Sequence, residues 1–184
     1  IGLIEDINCV CKKSWLKEGD QIWMLGIPLE TNSNKDNRIS LSASSFLEYI
    51  HDLKTGRPPE IDLNLEKEVQ YFLRQIIKKR IINSAHDLGD GGLAVALAES
   101  CISSGLGANI TIPTSQARLD RILFAEGGAR VLISCSHHQA LELKKYYKKI
   151  SLQKSNSFAI SHLGKVNNQN KLSMYQSNNL IIDL

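Results

Sequence analysis

No apolar run in these 184 residues approaches the roughly 18 residues that a bilayer-spanning helix requires, and the opening residues carry no secretory-signal pattern. A membrane partner is therefore not expected. Cysteine is sparse, at Cys9, Cys11, Cys101 and Cys135. The spacing of Cys9 and Cys11 is wrong for a zinc knuckle, and the other two stand alone in apolar stretches. That pattern fits reduced thiols in a cytoplasmic protein. Charge of one sign is lacking too, since the net charge is only +3. The densest basic cluster, Lys144, Lys145, Lys148 and Lys149, shares a helical stretch with Tyr146 and Tyr147. With no recognition motif beside it, this is a solvated helix face, and nucleic acid is not expected as a partner. No internal repeat is visible.

What remains is globular in composition, 42% hydrophobic and 22% charged, and long enough for one domain with its own core. The first residue is Ile, in what reads as a strand over 1–7, so a piece of a longer protein is expected. A turn at Glu18, Gly19 and Asp20 precedes a strand over 21–27, and the polar stretch 30–38 reads as a surface loop. Ser44 or Ser45 can cap a helix reaching His51, with Phe46, Leu47 and Ile50 as its buried side. Pro58 and Pro59 stop it. Over 65–79 the apolar residues Leu65, Val69, Phe72, Leu73, Ile76 and Ile77 recur with helical period, and Asn64 is the candidate cap. Strands are expected over 80–85, 108–112 and 130–135, and helices over 119–124 and 137–150. Two strands, 158–166 and 171–176, are joined by an Asn-rich turn as a closing hairpin, and the tail 177–184 reads as a last strand or a truncated connection. This alternation implies an α+β layer, a mixed β-sheet with helices packed on one face.

The organising stretch is Ala-His-Asp-Leu-Gly-Asp-Gly-Gly-Leu, residues 85–93. It reads as a strand end, a tight acidic turn and a buried helix, for 93–98 contains no polar residue. Asp90 is a candidate N-cap. Gly91 and Gly92 leave the first amides of the helix bare, so that a phosphate can approach them. Asp87 stands where the strand ends, the rim at which α/β sheets bind ligands. A hard oxygen ligand beside a phosphate cradle suits a magnesium nucleotide. Asp-Gly-Gly is equally ordinary turn chemistry, and a capped buried helix needs no ligand. Glu126 and Arg130 can touch a substrate or pair with each other. The pair is the simpler reading, and if partly exposed it contributes only about 0–1 kcal/mol.

Residues 85–99 resemble the His-Asp-x-Ser-Asp-Gly-Gly-Leu segment of the phosphoribosylformylglycinamidine synthase family. Three other stretches resemble that family in the same order: 1–7 with 18–26, Leu-Ser-Ala-Ser-Ser-Phe-Leu at 41–47, and Leu-Phe-Ala-Glu-Gly-Gly-Ala-Arg-Val-Leu-Ile-Ser at 123–134. Enzymes that make aminoimidazole ribotide, selenophosphate or hydrogenase cofactors share the domain type, with a different turn at the Asp87 position. The resemblance implies an AIR synthetase C-terminal-type domain over 1–184, the last of four domains in a longer enzyme. Within it, 1–17 would be an entering strand and linker, 18–166 the core, and 167–184 a hairpin and tail. It implies an ATP- and glutamine-dependent ligase of purine synthesis, with a nucleotide substrate, the preceding domains and a glutaminase subunit or domain as partners. The family's catalytic histidine belongs to the preceding domains, so no residue here is assigned as catalytic, and His86 is read as shaping its turn. The resemblance also implies magnesium and ATP or ADP as cofactors, Asp87 as metal ligand, and Gly89, Asp90, Gly91 and Gly92 at the nucleotide. Glu126, Arg130 and Ser42 are the implied substrate or interdomain contacts. Gly89, Ser42 and Ala125 depart from the family pattern, which normally has serine at the first and glycine at the other two. These changes point to a pseudo-site that has lost its ligand. Alternatives are another ATP enzyme of the same domain type, or a non-catalytic docking domain.

Overall fold

The computed structural model describes residues 3–4, 6–29, 36–115, 117–153 and 157–184. An inner strand of its sheet is β1 (Gln21–Gly26), whose Ile22, Trp23, Met24 and Leu25 are all buried. A strand with no polar alternation must be covered on both faces, and this one is. The remaining elements are α1 (Ser45–His51), α2 (Leu63–Lys78), β2 (Ser84–Asp87), α3 (Gly92–Ser104), β3 (Gly107–Ile112), α4 (Leu119–Phe124), β4 (Arg130–Cys135), α5 (His137–Gln153), β5 (Ala159–Asn167), β6 (Leu172–Gln176) and β7 (Asn179–Asp183). The seven strands form one sheet in the order β2-β4-β1-β5-β3-β6-β7. Every pairing is antiparallel except the parallel β3–β6.

The sheet is mixed and the class α+β, as the sequence implies, but helices cover both faces and not one. Ile22, Met24 and Leu132 point to Leu93 and Leu97 of α3 and to Leu123 of α4. Trp23, Leu25, Val131 and Ile133 point to Phe72 and Ile76 of α2 and to Leu143 of α5. The unbroken apolar runs of β1 and β4 are the cause, because side chains alternate between faces along a strand.

Local differences from expectation have equally local reasons. In the expected strand over 1–7, residues 1, 2 and 5 lie outside the described residues, Leu3 and Ile4 are exposed, and Ile7 opens a 3-10 turn, Ile7–Cys9. Most of the expected loop, 30–35, lies outside the described residues as well. Ser44 does cap α1, its hydroxyl accepting from the Leu47 amide, yet no residue of α1 is buried and Ile50 is 65% exposed. The N-cap of α2 is Asp62, which accepts from the Asn64 and Leu65 amides, so that the helix opens two residues earlier than Asn64 implied.

Strands β5 and β6 do not pair with each other. Strand β3 lies between them, and the closing hairpin is β6–β7, turned at Ser177 and Asn178 with positive φ. Gly107 permits this insertion, since a Cβ there would lie 2.3 Å from the Lys171 carbonyl oxygen.

No helix among the described residues is long and apolar enough to cross a membrane. All four cysteines are free, and burial pushes the Cys135 thiol up to about 12. Because only thiolates alkylate readily, iodoacetamide at pH 8 is expected to leave Cys135 unmodified in the folded protein and to reach it after urea unfolding. Peptide mass mapping of native and unfolded samples checks this.

Candidate functional site

The turn after β2 is set by its own packing. Leu88 is buried, and its amide donates to the Arg130 carbonyl, continuing the β2–β4 ladder by one residue. Asp87, the last residue of the strand, is exposed and forms no ion pair among the described residues. Gly89 and Asp90 are exposed also.

The cap of α3 is Gly91, at φ +77°, with no side chain capping it, so Asp90 does not cap this helix. A Cβ on Gly92, at φ +65°, would lie 2.5 Å from the Ala125 carbonyl oxygen. Both glycines are thus explained by left-handed backbone and by close packing. The first amides are not bare. The Gly91 amide donates to Glu126 Oε1 at 2.8 Å, and the Gly92 amide to the Gly89 carbonyl at 3.1 Å.

Glu126 is the residue on which the expected site converges. Its Oε1 also accepts from the Ser45 amide at 2.8 Å, the first residue of α1. Its backbone exchanges two hydrogen bonds of 2.9 Å with Ser40. One carboxylate oxygen therefore joins the starts of α1 and α3, where negative charge is favoured by the orphan amides and the helix dipole. Ser42 sits in the same turn: its amide donates to Ser40 Oγ, and its side chain packs on Gly56, where a Cβ would come within 2.7 Å. Beside this turn opens a groove of about 310 Å³ lined by Ala43, Ser44, Glu48, Leu53, Lys54 and Gly56, among others.

Arg130 does not pair directly with Glu126, contrary to expectation. It is 3% exposed, and its Nη2 donates to the Ala125 carbonyl at 2.6 Å. Burial, and then the like charge of Arg121, lower its pKa to about 10.

His86 bonds beyond its turn. Nδ1 lies 3.1 Å from Ser100 Oγ and Nε2 3.1 Å from Glu99 Oε2, which also meets Lys13 Nζ at 3.2 Å. His86 thereby ties β2 to α3 and to the segment leading into β1. This resembles a serine-histidine-acid set, but Ser100 is fully buried and its hydroxyl donates to the Ala96 carbonyl. No substrate reaches it, and it is structural.

Magnesium requires near-octahedral oxygen coordination. Among the described residues no group of three or more His, Cys, Asp or Glu side chains is placed to hold a metal. Asp87 stands at the strand end as a single exposed carboxylate, outside any such group among the described residues. The Glu126 clamp and the His86–Glu99 link escape sequence reading, for the joined residues lie far apart in the chain and share no periodic pattern.

This geometry can be set beside known proteins. The chain is 76% identical over its whole length to "Phosphoribosylformylglycinamidine synthase subunit PurL" of Prochlorococcus marinus (strain NATL1A), of which it covers 23%. Among solved structures, "T. maritima PurL complexed with FGAR" matches 97% of this chain and 29% of its own, at 18% identity and TM-score 0.75. "T. maritima PurL complexed with ATP" matches 97% and 27%, at 15% identity and TM-score 0.67. At those identities the structures speak to the fold, a sheet with helices of the same arrangement. The chain spans about a quarter of the length of the curated relatives it matches from end to end. Since residues 17–175, from ahead of β1 into β6, match the family described as "AIR synthase related protein, C-terminal domain", the chain belongs to that family.

Proposed function

We propose that this chain is the C-terminal domain of the second half of a phosphoribosylformylglycinamidine synthase. The whole enzyme would act in the cytoplasm, converting formylglycinamide ribonucleotide to formylglycinamidine ribonucleotide with ATP, magnesium and glutamine-derived ammonia. The observation that carries this reading is the 76% identity, unbroken over all 184 residues, to a protein of that name. The preceding domains and a glutaminase subunit or domain are its partners. Residues 1–184 form one domain of it, which by itself has no activity.

In this reading the domain is the structural, pseudo-site half. Asp87 offers one carboxylate to a magnesium ion whose other ligands come from a nucleotide and the docked neighbouring domain. When bound, magnesium would neutralise phosphate charge. The exposed position of Asp87 at the strand end supports that role. The filling of the Gly91 amide by Glu126 supports the absence of a phosphate from the α3 cradle itself.

Calorimetric titration of the intact enzyme with Mg-ADP, wild type against Asp87→Ala, tests it. The expected result is loss of one binding event or a drop in its affinity of at least tenfold. Equal stoichiometry and affinity would rule the metal role out.

A further inference from the structure

The C-terminal end of α3 and the open end of the β6–β7 hairpin leave a groove of about 340 Å³ between them. Its wall includes Ala98, Cys101, Ile102, Leu106, Leu172 and Leu184, with Asn170 as the polar member. Leu172 is buried, while Ile102 and Leu184 are 81% and 72% exposed. Leu172 and Leu184 exchange two backbone hydrogen bonds, of 2.8 and 3.0 Å, which hold that rim in place. A lone exposed apolar side chain is ordinary, but an apolar hollow with two of them beside it is a surface that association buries. Charge around it is already matched. Glu99, next in the chain to Ala98, meets Lys13 Nζ at 3.2 Å, and Lys171, next to Leu172, meets Asp183 at 2.6 Å. Small-molecule sites orient their ligand with several placed polar groups, and this wall offers Asn170 for that task. An apolar protein surface needs none.

We propose that this groove seats an apolar side chain from another domain of the same polypeptide, docking α3 and the hairpin onto the rest of the enzyme. The proposal rests on the reading of the chain as one domain of a longer synthase. It adds a docking surface at the far end of α3 from the Gly91 turn, about 20 Å along the helix axis at 1.5 Å per residue. The chain spans about a quarter of the curated relatives it matches from end to end, so most of such a polypeptide lies outside it. The segment entering β1 also passes beside the groove. Trp15, buried on that segment, donates its Nε1–H to Sγ of the wall residue Cys101 at 3.3 Å. Leu3, Ile4 and Ile7 on the same approach are exposed, further apolar surface for the same neighbour. A domain tethered through this segment has an effective concentration that a second copy of the enzyme does not reach.

Thermal unfolding of the full-length enzyme carrying Ile102→Lys tests it. On an uncovered helix end lysine is harmless or helpful: it is a good helix former, complements the dipole, and stands three residues from Glu99. In an occupied groove it puts a charge into an apolar contact, and a fall in Tm of several degrees is expected. Benzoylphenylalanine placed at position Leu184 of the otherwise wild-type enzyme and irradiated is expected to crosslink to residues outside 1–184 within one polypeptide. That readout stands even where the lysine variant fails to fold. An unchanged Tm, crosslinks absent or confined to this domain, or crosslinked dimers, which would seat a second copy here, would each overturn the proposal. Conversion of formylglycinamide ribonucleotide with ATP and an ammonium salt, assayed on wild type, tests the identity separately. An inactive enzyme with the crosslink in place would sink the synthase reading and leave the docking standing.

Discussion

Phe72→Ala is expected to lower the free energy of unfolding by about 3–5 kcal/mol, the range for removing a buried aromatic ring. Phe72 is 1% exposed and lies where three elements meet. Its ring stacks on Tyr146 at 5.7 Å, meets Tyr147 edge-on at 6.0 Å, and tilts against Phe158 at 5.2 Å. Those partners belong to α5 and to the residue leading into β5, so the ring docks α2 onto both. Removing it leaves a cavity that neighbouring aromatic rings, tied through the Tyr147 hydroxyl to the Phe158 carbonyl at 2.7 Å, cannot easily fill. Tyr71, adjacent in sequence and 55% exposed, is the control, with Tyr71→Ala expected within about 0.5 kcal/mol of wild type. Urea unfolding followed by tryptophan fluorescence, which reports on Trp23 in the same core, gives both values. Similar losses for the two variants would mean that α2 is not held by this face.

How far such packing could be read beforehand varies by element. Helix α2 was legible because Leu65, Val69, Phe72 and Ile76 repeat with helical period and are the residues buried. Strands β1 and β4 were legible as strands. Their uninterrupted apolar runs also carried the two-sided burial, which the one-face reading passed over. The placement of β3 between β5 and β6 was not legible, since pairing depends on which edge is free once the rest has folded, and no short-range pattern records that. At the site, the exposure of Asp87 followed from its place at a strand end. The fate of Glu126 and Arg130 did not. The two residues are near in sequence, but Arg130 turns inward where β4 begins while Glu126 turns to two helix starts. The contacts that settle the matter join residues 35 and 81 positions apart in the chain.

Glu126→Ala is expected to cost about 2–4 kcal/mol, because hydrogen bonds to a charged group are worth about 1.5–3 kcal/mol each and two amides lose their acceptor together. The loss should fall unevenly over the molecule. Helix α1 has seven residues, none of them buried, and its amide link to Glu126 is one of few ties holding it in place. Helix α3 packs by Leu93 and Leu97 into the core and keeps that support when the carboxylate is gone. Amide exchange in the variant should therefore accelerate strongly at Ser45 and through α1, moderately at Gly91, and little in the second half of α3. Glu126→Gln keeps an oxygen acceptor at the same reach and loses only the charge, so it should recover most of the stability and most of the protection at Ser45. Hydrogen exchange with mass spectrometry on the three proteins separates these outcomes. Equal exchange at Ser45 in wild type and Glu126→Ala would show that the carboxylate does not hold α1. In that case the turn at Ser42 and the turn at Asp87 would not share one frame, and each would have to find its place against the neighbouring domain separately.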